Sequence, residues 1–242
     1  MRYREHIEAK IGKAISSTSV PNTNNLSSYI KLGTIEIISN IIKFSPSAAV
    51  LFETVSAELT ENGFKVPSGI ILKVLRRDND VLPDGPWTNQ YRPCKLIDSS
   101  NEYLAQTPGS LHYANEFNPV WVRGQNNSVN VYPEPSATAQ YKVHYIEYPE
   151  RDNYGKELDS NTDIDIVGIK GFPKSFNPHI VLYGAWSAIK QYYLHLLNEE
   201  EDMELGQTYF KIAANMEKEL TQMFITKDML ERSDDESEER RA

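Results

Sequence analysis

Apolar residues recur at helical spacing in four segments, two near each end of the chain. These segments are residues 3–17, 26–44, 178–198 and 203–230. Asn25 or Ser27 is the expected N-cap of the second helix, and Ser45-Pro46 is expected to end it. Asn177 followed by Pro178 is the expected start of the third helix. The pattern therefore predicts a helical frame built from both ends of the chain.

The segment 178–198 is apolar on two faces. One face is apolar along its whole length, and Val181, Ala188 and Tyr192 lie on another. A helix of this kind is expected to be buried on two sides. Ordinary core packing explains most of the pattern, and the second face favours contact with a neighbouring subunit. Val181, Tyr192 and Tyr193 are therefore the expected residues of a subunit interface.

The middle of the chain shows the two-residue alternation of β-strands. Three short runs over residues 117–149, each closed by proline or a Gly/Asn/Ser cluster, predict an antiparallel meander. Residues 70–76 form an apolar run of strand length, and Asn62-Gly63 before it predicts a tight hairpin turn. Further predicted elements are a strand at 94–98, a short helix at 101–106, an edge segment at 111–113, and loops at 78–93 and 150–172.

These elements predict an α+β protein in which an antiparallel β domain is inserted into a helical bundle. The bundle is expected to be discontinuous and to comprise residues 1–46 and 173–230, with the β-rich insert at 47–150. Residues 151–172 are expected to form a connecting loop. Residues 231–242 form a charged tail that lacks apolar anchors, so we expect it to be disordered when free.

Composition and charge narrow the class of protein. The chain has 242 residues and a formal net charge of -9, so it lacks the global basic surface that grips duplex DNA. The single cysteine, Cys94, excludes an intrachain disulfide and a multi-cysteine zinc site, which fits synthesis in a reducing cytosol. No apolar run approaches the ~18 residues of a membrane span, and the N-terminus does not resemble a signal peptide.

Two groups of residues are candidates for a metal-binding site. Residues 159–163 resemble the start of a calcium loop, but Ile164 and Lys170 stand where that loop requires glycine and glutamate. A solvated acidic loop is therefore favoured. The five histidines lack metal-ligand spacing, and Cys94 is interpreted as a small buried apolar residue. No metal and no cofactor is predicted.

Catalytic and nucleic-acid motifs are also absent from the sequence. There is no glycine-rich phosphate loop or nucleophile elbow, and no acid/base pair can be nominated from sequence alone. Arg76, Arg77 and Arg123 are candidates for contact with DNA phosphate or with a partner's acids. Solvated charge at strand ends is the favoured interpretation of all three. The sequence therefore favours a protein that is not an enzyme.

Seven segments occur in an order that points to a family. They are residues 26–33, 69–76, 110–121, 129–135, 141–145, 172–173 and 181–197. This order resembles the head–tail connector proteins of tailed bacteriophages, also called adaptor or neck-ring proteins, in a larger form with a β-rich insert. The resemblance spans about residues 26–226 and consists of soft patterns without invariant chemistry.

The resemblance implies a structural protein of the virion at the head–tail junction, made in the cytoplasm of the bacterial host. It implies a homo-oligomeric ring, twelvefold, that binds the portal protein and downstream neck or tail proteins. Genomic DNA is expected to pass through the lumen without specific binding, and mild negative charge reduces attraction to phosphate. The expected portal contact is the C-terminal tail, through Arg232, Arg240 and Arg241.

Three other functions stay open at this point. Another virion component, such as a tail terminator or a baseplate protein, would share the ring but not the portal contact. A carbohydrate-acting enzyme would use tyrosine, tryptophan and paired carboxylates, and it requires two acids that face each other in a cleft. The third alternative is a module that binds a small ligand.

Overall fold

The computed structural model describes residues 1–78, 91–200 and 203–239, and in the last helix it describes side chains as far as Met223. Within these residues the chain has the predicted α+β fold. The helices are α1 (Tyr3–Ile11), α2 (Thr23–Phe44), α3 (Glu102–Ala105), α4 (Asn177–His195) and α5 (Met203–Glu239). The strands are β1 (Glu53–Val55), β2 (Phe64–Lys65), β3 (Gly69–Asp78), β4 (Arg92–Pro93), β5 (Lys95–Ile97), β6 (Val120–Arg123), β7 (Ser128–Tyr132) and β8 (Ala139–Glu147).

The chain divides into two compact units. The first, called the helical unit, combines Met1–Phe52 with Pro149–Ala242, and the second, called the strand unit, is Glu53–Tyr148. The helical unit contains α1, α2, α4 and α5, whereas α3 and all eight strands lie in the strand unit. The insert expected at 47–150 starts before the strand unit and ends after it. None of the described helices is both long and apolar enough to cross a membrane.

Helix α4 contacts the other three helices of the helical unit. Two glycines allow this close packing. A Cβ added at Gly184 of α4 would lie 2.6 Å from Cδ1 of Ile7 on α1. A Cβ added at Gly33 of α2 would lie 2.9 Å from Cδ1 of Tyr183 on α4. Packing within the chain therefore accounts for the two apolar faces of α4, because α1, α2 and α5 cover the helix from several sides.

The first two helices begin or end at capping residues rather than at the predicted positions. Helix α1 ends at Ile11 instead of residue 17, because Gly12 adopts the left-handed conformation (φ 69°) of a helix C-cap. Helix α2 starts at Thr23, and Asn22 is its N-cap. The prediction of Asn25 or Ser27 as the cap is wrong: the Asn22 side chain accepts the backbone N–H of Asn25 at 2.9 Å.

The last two helices also differ from their predicted bounds. Asn177 has helical backbone angles and is not the N-cap of α4; its Oδ1 accepts a hydrogen bond from the Tyr3 hydroxyl at 2.9 Å. A π-helical turn, Leu196–Glu200, follows α4. Helix α5 continues to Glu239, so the expectation of disorder is wrong for residues 231–239. This stretch lacks glycine and proline and is rich in glutamate, which favours helix.

The connecting segment 151–172 belongs to the helical unit and has no regular secondary structure, as its composition predicts. It nevertheless packs tightly. Leu158 is fully buried, and the carbonyl of Ser160 accepts the backbone N–H of Arg4 on α1 at 2.9 Å. The backbone N–H of Ser160 donates to Oγ of Ser27 on α2 at 3.0 Å. The segment therefore ties the first two helices together rather than acting as a free linker.

The strand unit consists of two four-stranded sheets, ordered β1-β8-β3-β4 and β2-β7-β6-β5. All pairs of neighbouring strands are antiparallel except β5 and β6. The two sheets share one buried core, in which Val74 and Val143 from the first sheet meet Trp121 and Val131 from the second. Cys94 lies in the same core, in agreement with its interpretation as a buried apolar residue.

Two predictions of strand pairing are wrong. Strands β6 and β7 form the expected antiparallel pair, but β8 pairs with β1 and β3 in the other sheet, so no three-stranded meander forms. The Asn62-Gly63 turn does not join a hairpin, because β1 and β2 lie in different sheets. Instead the Asn62 side chain bonds both the N–H (2.7 Å) and the carbonyl (3.2 Å) of Val131 on β7. The Asn62 amide thus forms the two hydrogen bonds that a residue on an adjacent strand would form with the backbone of Val131.

Candidate functional site

The three residues predicted at a subunit interface are half-buried on α4. The Tyr192 ring packs edge-to-face on Tyr209, with a centroid distance of 4.9 Å. The Tyr193 ring lies 5.5 Å from that of Phe210. Because both partners are on α5 of the same chain, intrachain packing accounts for these tyrosines. Val181, in contrast, lines an open cleft.

The three arginines predicted to contact the portal are at the C-terminal end. Arg232 lies on α5, beyond the part of the helix whose side chains are described. Arg240 and Arg241 lie outside the described residues. The portal contact through these residues therefore stays a prediction.

The acidic segment 159–163, which resembles the start of a calcium loop, accepts hydrogen bonds from groups of its own chain. Asp163 Oδ1 accepts the backbone N–H groups of Asp165 and Ile166 at 2.9 Å, and its Oδ2 accepts the Met1 amine at 3.0 Å. The hydrogen bond from Ile166, followed by that from the amine, holds the pKa of the Asp163 carboxyl below its usual value. Among the described residues, no group of three or more His, Cys, Asp or Glu side chains is placed to hold a metal ion.

The outer face of the first sheet carries a network of paired charges. Glu58 accepts hydrogen bonds from the Tyr91 hydroxyl at 2.6 Å and from Arg77 Nη2 at 3.4 Å, and it forms an ion pair with Lys142 at 3.4 Å. The hydrogen bond from Tyr91 is the largest cause of a lowered Glu58 pKa. Arg77 also donates to Oε1 of Gln140 at 2.6 Å. Arg77 therefore stabilises the sheet.

The other two candidate arginines lie in contrasting environments. Arg76 is only 4% exposed, so its interpretation as a solvated charge is wrong. It shares the inward face of β3 with Val74, because alternate residues of a strand point to the same side. Arg123 is exposed at the end of β6, as the favoured interpretation predicts.

An open cleft of about 490 Å³ lies between α1, α4 and α5 of the helical unit. Its volume falls within the ~300–1,000 Å³ range of ligand pockets. Five apolar side chains contribute to its lining: Ile164, Pro178, Val181, Leu182 and Met223. We call it the α1–α4–α5 cleft.

The charged groups of the α1–α4–α5 cleft have partners within the chain. Lys10 Nζ donates to Glu219 Oε1 at 3.1 Å. Asp165 accepts the Met1 amine at 3.1 Å, and Lys174 Nζ donates to the Asp165 carbonyl at 2.7 Å. An uncharged occupant would therefore not leave these charges without partners.

A second open cleft of about 310 Å³ lies between α2, α4 and α5. Its lining combines aromatic side chains, including Trp186 and Phe44, with the carboxylates of Glu36 and Glu217. Cations are attracted both to carboxylates and to the faces of aromatic rings. A cationic occupant suits this α2–α4–α5 cleft better than an uncharged one.

The most exposed large apolar side chain among the described residues is Leu111, which is 100% accessible to solvent. It belongs to the loop of residues 106–113, which follows α3 and is called the 106–113 loop. Tyr113 in the loop and Tyr103 in α3 are 42% and 67% exposed. The predicted edge strand at 111–113 is wrong, because the Tyr113 N–H donates to the Ser110 carbonyl within the loop at 3.1 Å.

The base of the 106–113 loop is anchored in the strand unit. Ala105 and Ala114 are buried and joined by a backbone hydrogen bond of 2.9 Å, and both pack in a second core on β5, β6 and β7. Glu102 of α3 accepts a hydrogen bond from the Tyr132 hydroxyl at 2.6 Å. Burial, followed by this bond, raises the pKa of Tyr132 to about 12. The base of the loop is therefore anchored to this second core.

Sequence reasoning missed both the cleft and the loop. The residues of the cleft come from three helices and an irregular segment that are far apart in the sequence. Leu111 stands among turn-forming residues, which predicts a loop but not the exposure of its side chain. No protein-family model matches the chain, and a search of the curated proteins finds no match.

Proposed function

We propose that this chain is a structural, non-enzymatic protein of a tailed-bacteriophage virion that forms a connector ring between the portal and the tail. The ring is twelvefold, and genomic DNA passes through its lumen without specific binding. The C-terminal end of α5 contacts the portal protein, and another surface contacts downstream neck or tail proteins. The protein is made in the cytoplasm of the bacterial host.

The observation that carries the proposal is the division of the chain into two units. One unit is built from both chain ends and holds the long helices, while Glu53–Tyr148 holds every described strand. The segment order that resembles connector proteins implies this arrangement, in which a β-rich insert interrupts a helical frame. An insert of this kind adds a second contact surface to a subunit without interrupting its helices.

Surface properties support an assembly role. Large apolar side chains are exposed in both units, including Leu111 in the strand unit and Met203 and Phe210 at the start of α5. Burial of such side chains against a partner would remove apolar surface from water, so they are candidates for subunit contacts. The net charge of -9 weakens attraction to DNA phosphate, which suits a channel through which DNA slides.

The experiment that tests the proposal measures the mass of the purified chain alone and together with the portal protein from the same genome. Light scattering gives the masses, and electron microscopy shows whether a ring adds to the portal. We expect a ring that joins portal particles. A chain that remains a monomer and joins neither portal particles nor virions contradicts the proposal. A ring without affinity for the portal favours a tail terminator or a baseplate protein instead.

A matched pair of charge reversals tests the portal contact. Replacing Arg240 and Arg241 by glutamate is expected to weaken binding to the portal. Replacing Lys211 and Lys218 by glutamate changes the net charge equally at exposed positions of α5 and should have little effect. Equal loss in both variants would indicate a general electrostatic effect rather than a contact at the C-terminus.

A further inference from the structure

We infer that the 106–113 loop of one copy inserts Leu111 into the α1–α4–α5 cleft of a neighbouring copy. This inference rests on the proposed ring and deepens it by identifying a subunit contact. It assigns Val181 to the interface, whereas Tyr192 and Tyr193 pack within the chain.

The 106–113 loop has the properties of an inserting element. Leu111 is fully exposed in the single chain, so burial of its side chain would remove apolar surface from water. The loop is closed at its base by the bond between Ala105 and Ala114, and Ser110 N–H donates to the Thr107 carbonyl at 3.2 Å. A preorganised loop loses little conformational entropy on binding. The exposed leucine is therefore presented at a low entropic cost.

The absence of charged residues from the 106–113 loop suits the α1–α4–α5 cleft, whose charged groups already have partners within the chain. Residues 106–113 contain no Asp, Glu, Lys or Arg. Lys10 and Glu219 of this cleft form an ion pair, the Asp165 carboxylate accepts the Met1 amine, and Lys174 donates to the Asp165 carbonyl. Insertion of an uncharged loop would cover these pairs without separating them, so it would avoid the penalty for burying an unpaired charge. Leu111 would meet the apolar lining at Val181 and Met223.

The α2–α4–α5 cleft is a poorer match. Its lining includes the carboxylates of Glu36 and Glu217, and the loop supplies no cation to compensate them when water is displaced. Its volume of about 310 Å³ is also smaller than that of the α1–α4–α5 cleft. Charge and size therefore favour the cleft that contains Val181.

The two surfaces differ, so the contact between copies is head-to-tail. A heterologous interface of this type generates a closed ring when the rotation between successive copies closes. The inferred contact is thus compatible with a ring, whereas a self-complementary patch would produce isolated pairs. This property links the loop and the cleft to the proposed function.

Photo-cross-linking tests the contact directly on the full chain. Copies with Leu111→p-benzoylphenylalanine are mixed with ¹⁵N-labelled unmodified copies, irradiated and analysed by peptide mass spectrometry. We expect light–heavy cross-links to peptides that contain Lys10, Val181 or Met223. The same photoreactive residue at Leu96, which is 57% exposed on β5, serves as the control and should not label these peptides. Cross-links only within a copy, only to the α2–α4–α5 cleft, or none between copies overturn the inference.

Substitutions provide an independent measurement of self-association. Leu111→Asp and Val181→Trp are each expected to weaken it at least about tenfold, equivalent to ~1.4 kcal/mol. Leu111→Met should retain it. Leu96→Asp is the matched control for the exposed leucine, and Asn40→Trp, in the lining of the α2–α4–α5 cleft, is the matched control for Val181→Trp. Because Leu111 is fully exposed, its replacement should not disturb folding. Normal assembly of Leu111→Asp overturns this inference but leaves the connector proposal intact, since that proposal is tested separately by whether the wild-type chain forms a ring that joins portal particles.

Discussion

Alanine in place of Gly69 is expected to destabilise the strand unit. Gly69 opens β3, and an added Cβ would lie 1.9 Å from the carbonyl oxygen of Ile146 and 3.2 Å from Cα of Glu147 on β8. Ordinary van der Waals contact begins at 3.4 Å, so the two strands must separate locally by about 1.5 Å. The obstructing atoms belong to the backbone, which cannot move aside as a side chain can.

The cost follows from the pairing that this separation disrupts. Gly69 is opposite Glu147 and Ile70 is opposite Ile146 in the antiparallel ladder. Each ladder hydrogen bond contributes about 1 kcal/mol, and overpacking costs a further ~1–3 kcal/mol. We therefore expect the free energy of unfolding to fall by about 3 kcal/mol, a large fraction of the ~5–15 kcal/mol that stabilises a typical domain.

Urea denaturation of the full chain measures this loss, and hydrogen exchange locates it. We expect a lower unfolding midpoint and faster amide exchange in β3 and β8. Gly63→Ala is the matched control in the same unit, because Gly63 has φ 90° but no atom within 4 Å of an added Cβ. Backbone strain should cost this control only about 1–2 kcal/mol. A Gly69→Ala variant at least as stable as Gly63→Ala would refute the steric argument.

Two further predictions concern a buried hydrogen bond and an ion pair. Tyr3→Phe removes the donor to the buried Oδ1 of Asn177 and should lower the free energy of unfolding by about 1–3 kcal/mol; an unchanged denaturation midpoint would contradict this. Burial raises the pKa of Glu53, but hydrogen bonds from His144 and Lys73 outweigh it and leave the pKa below its usual value. Glu53 therefore stabilises the fold above its unfolded-state pKa, and this contribution disappears as the pH falls through the lower folded-state pKa. The thermal midpoints of the wild type and Glu53→Gln should converge at low pH, and curves that stay parallel would contradict the assignment.

Local sequence signals predicted the helices well and their ends less well. Helical periodicity depends on residues three and four positions apart, so α2 and α4 were recognisable from their own segments. Their ends depend on individual caps. Asn22 starts α2 several residues before the apolar stripe begins, and Gly12 ends α1 before Ile15, which is buried although it lies outside the helix.

The candidate site was less accessible to sequence reasoning than the fold. Val181 was recognised because it lies on a second apolar face of its helix. The cleft that it lines also requires Lys10 and Glu219, which are brought together only when α1 and α5 pack on α4. Leu111 has no periodic neighbours, so its exposure could not be inferred before its loop was placed.

The amino-acid sequence by itself determined the α+β class, the positions of the long helices and most of the strands. Periodicity and turn residues encode these features within short segments. Only the tertiary structure decided that β8 leaves its predicted neighbours for the other sheet, and that α4 is covered by three helices of its own chain. Strand pairing and helix packing join residues far apart in sequence, and many partners satisfy the same local pattern. The choice among them depends on burial and hydrogen bonding across the whole unit.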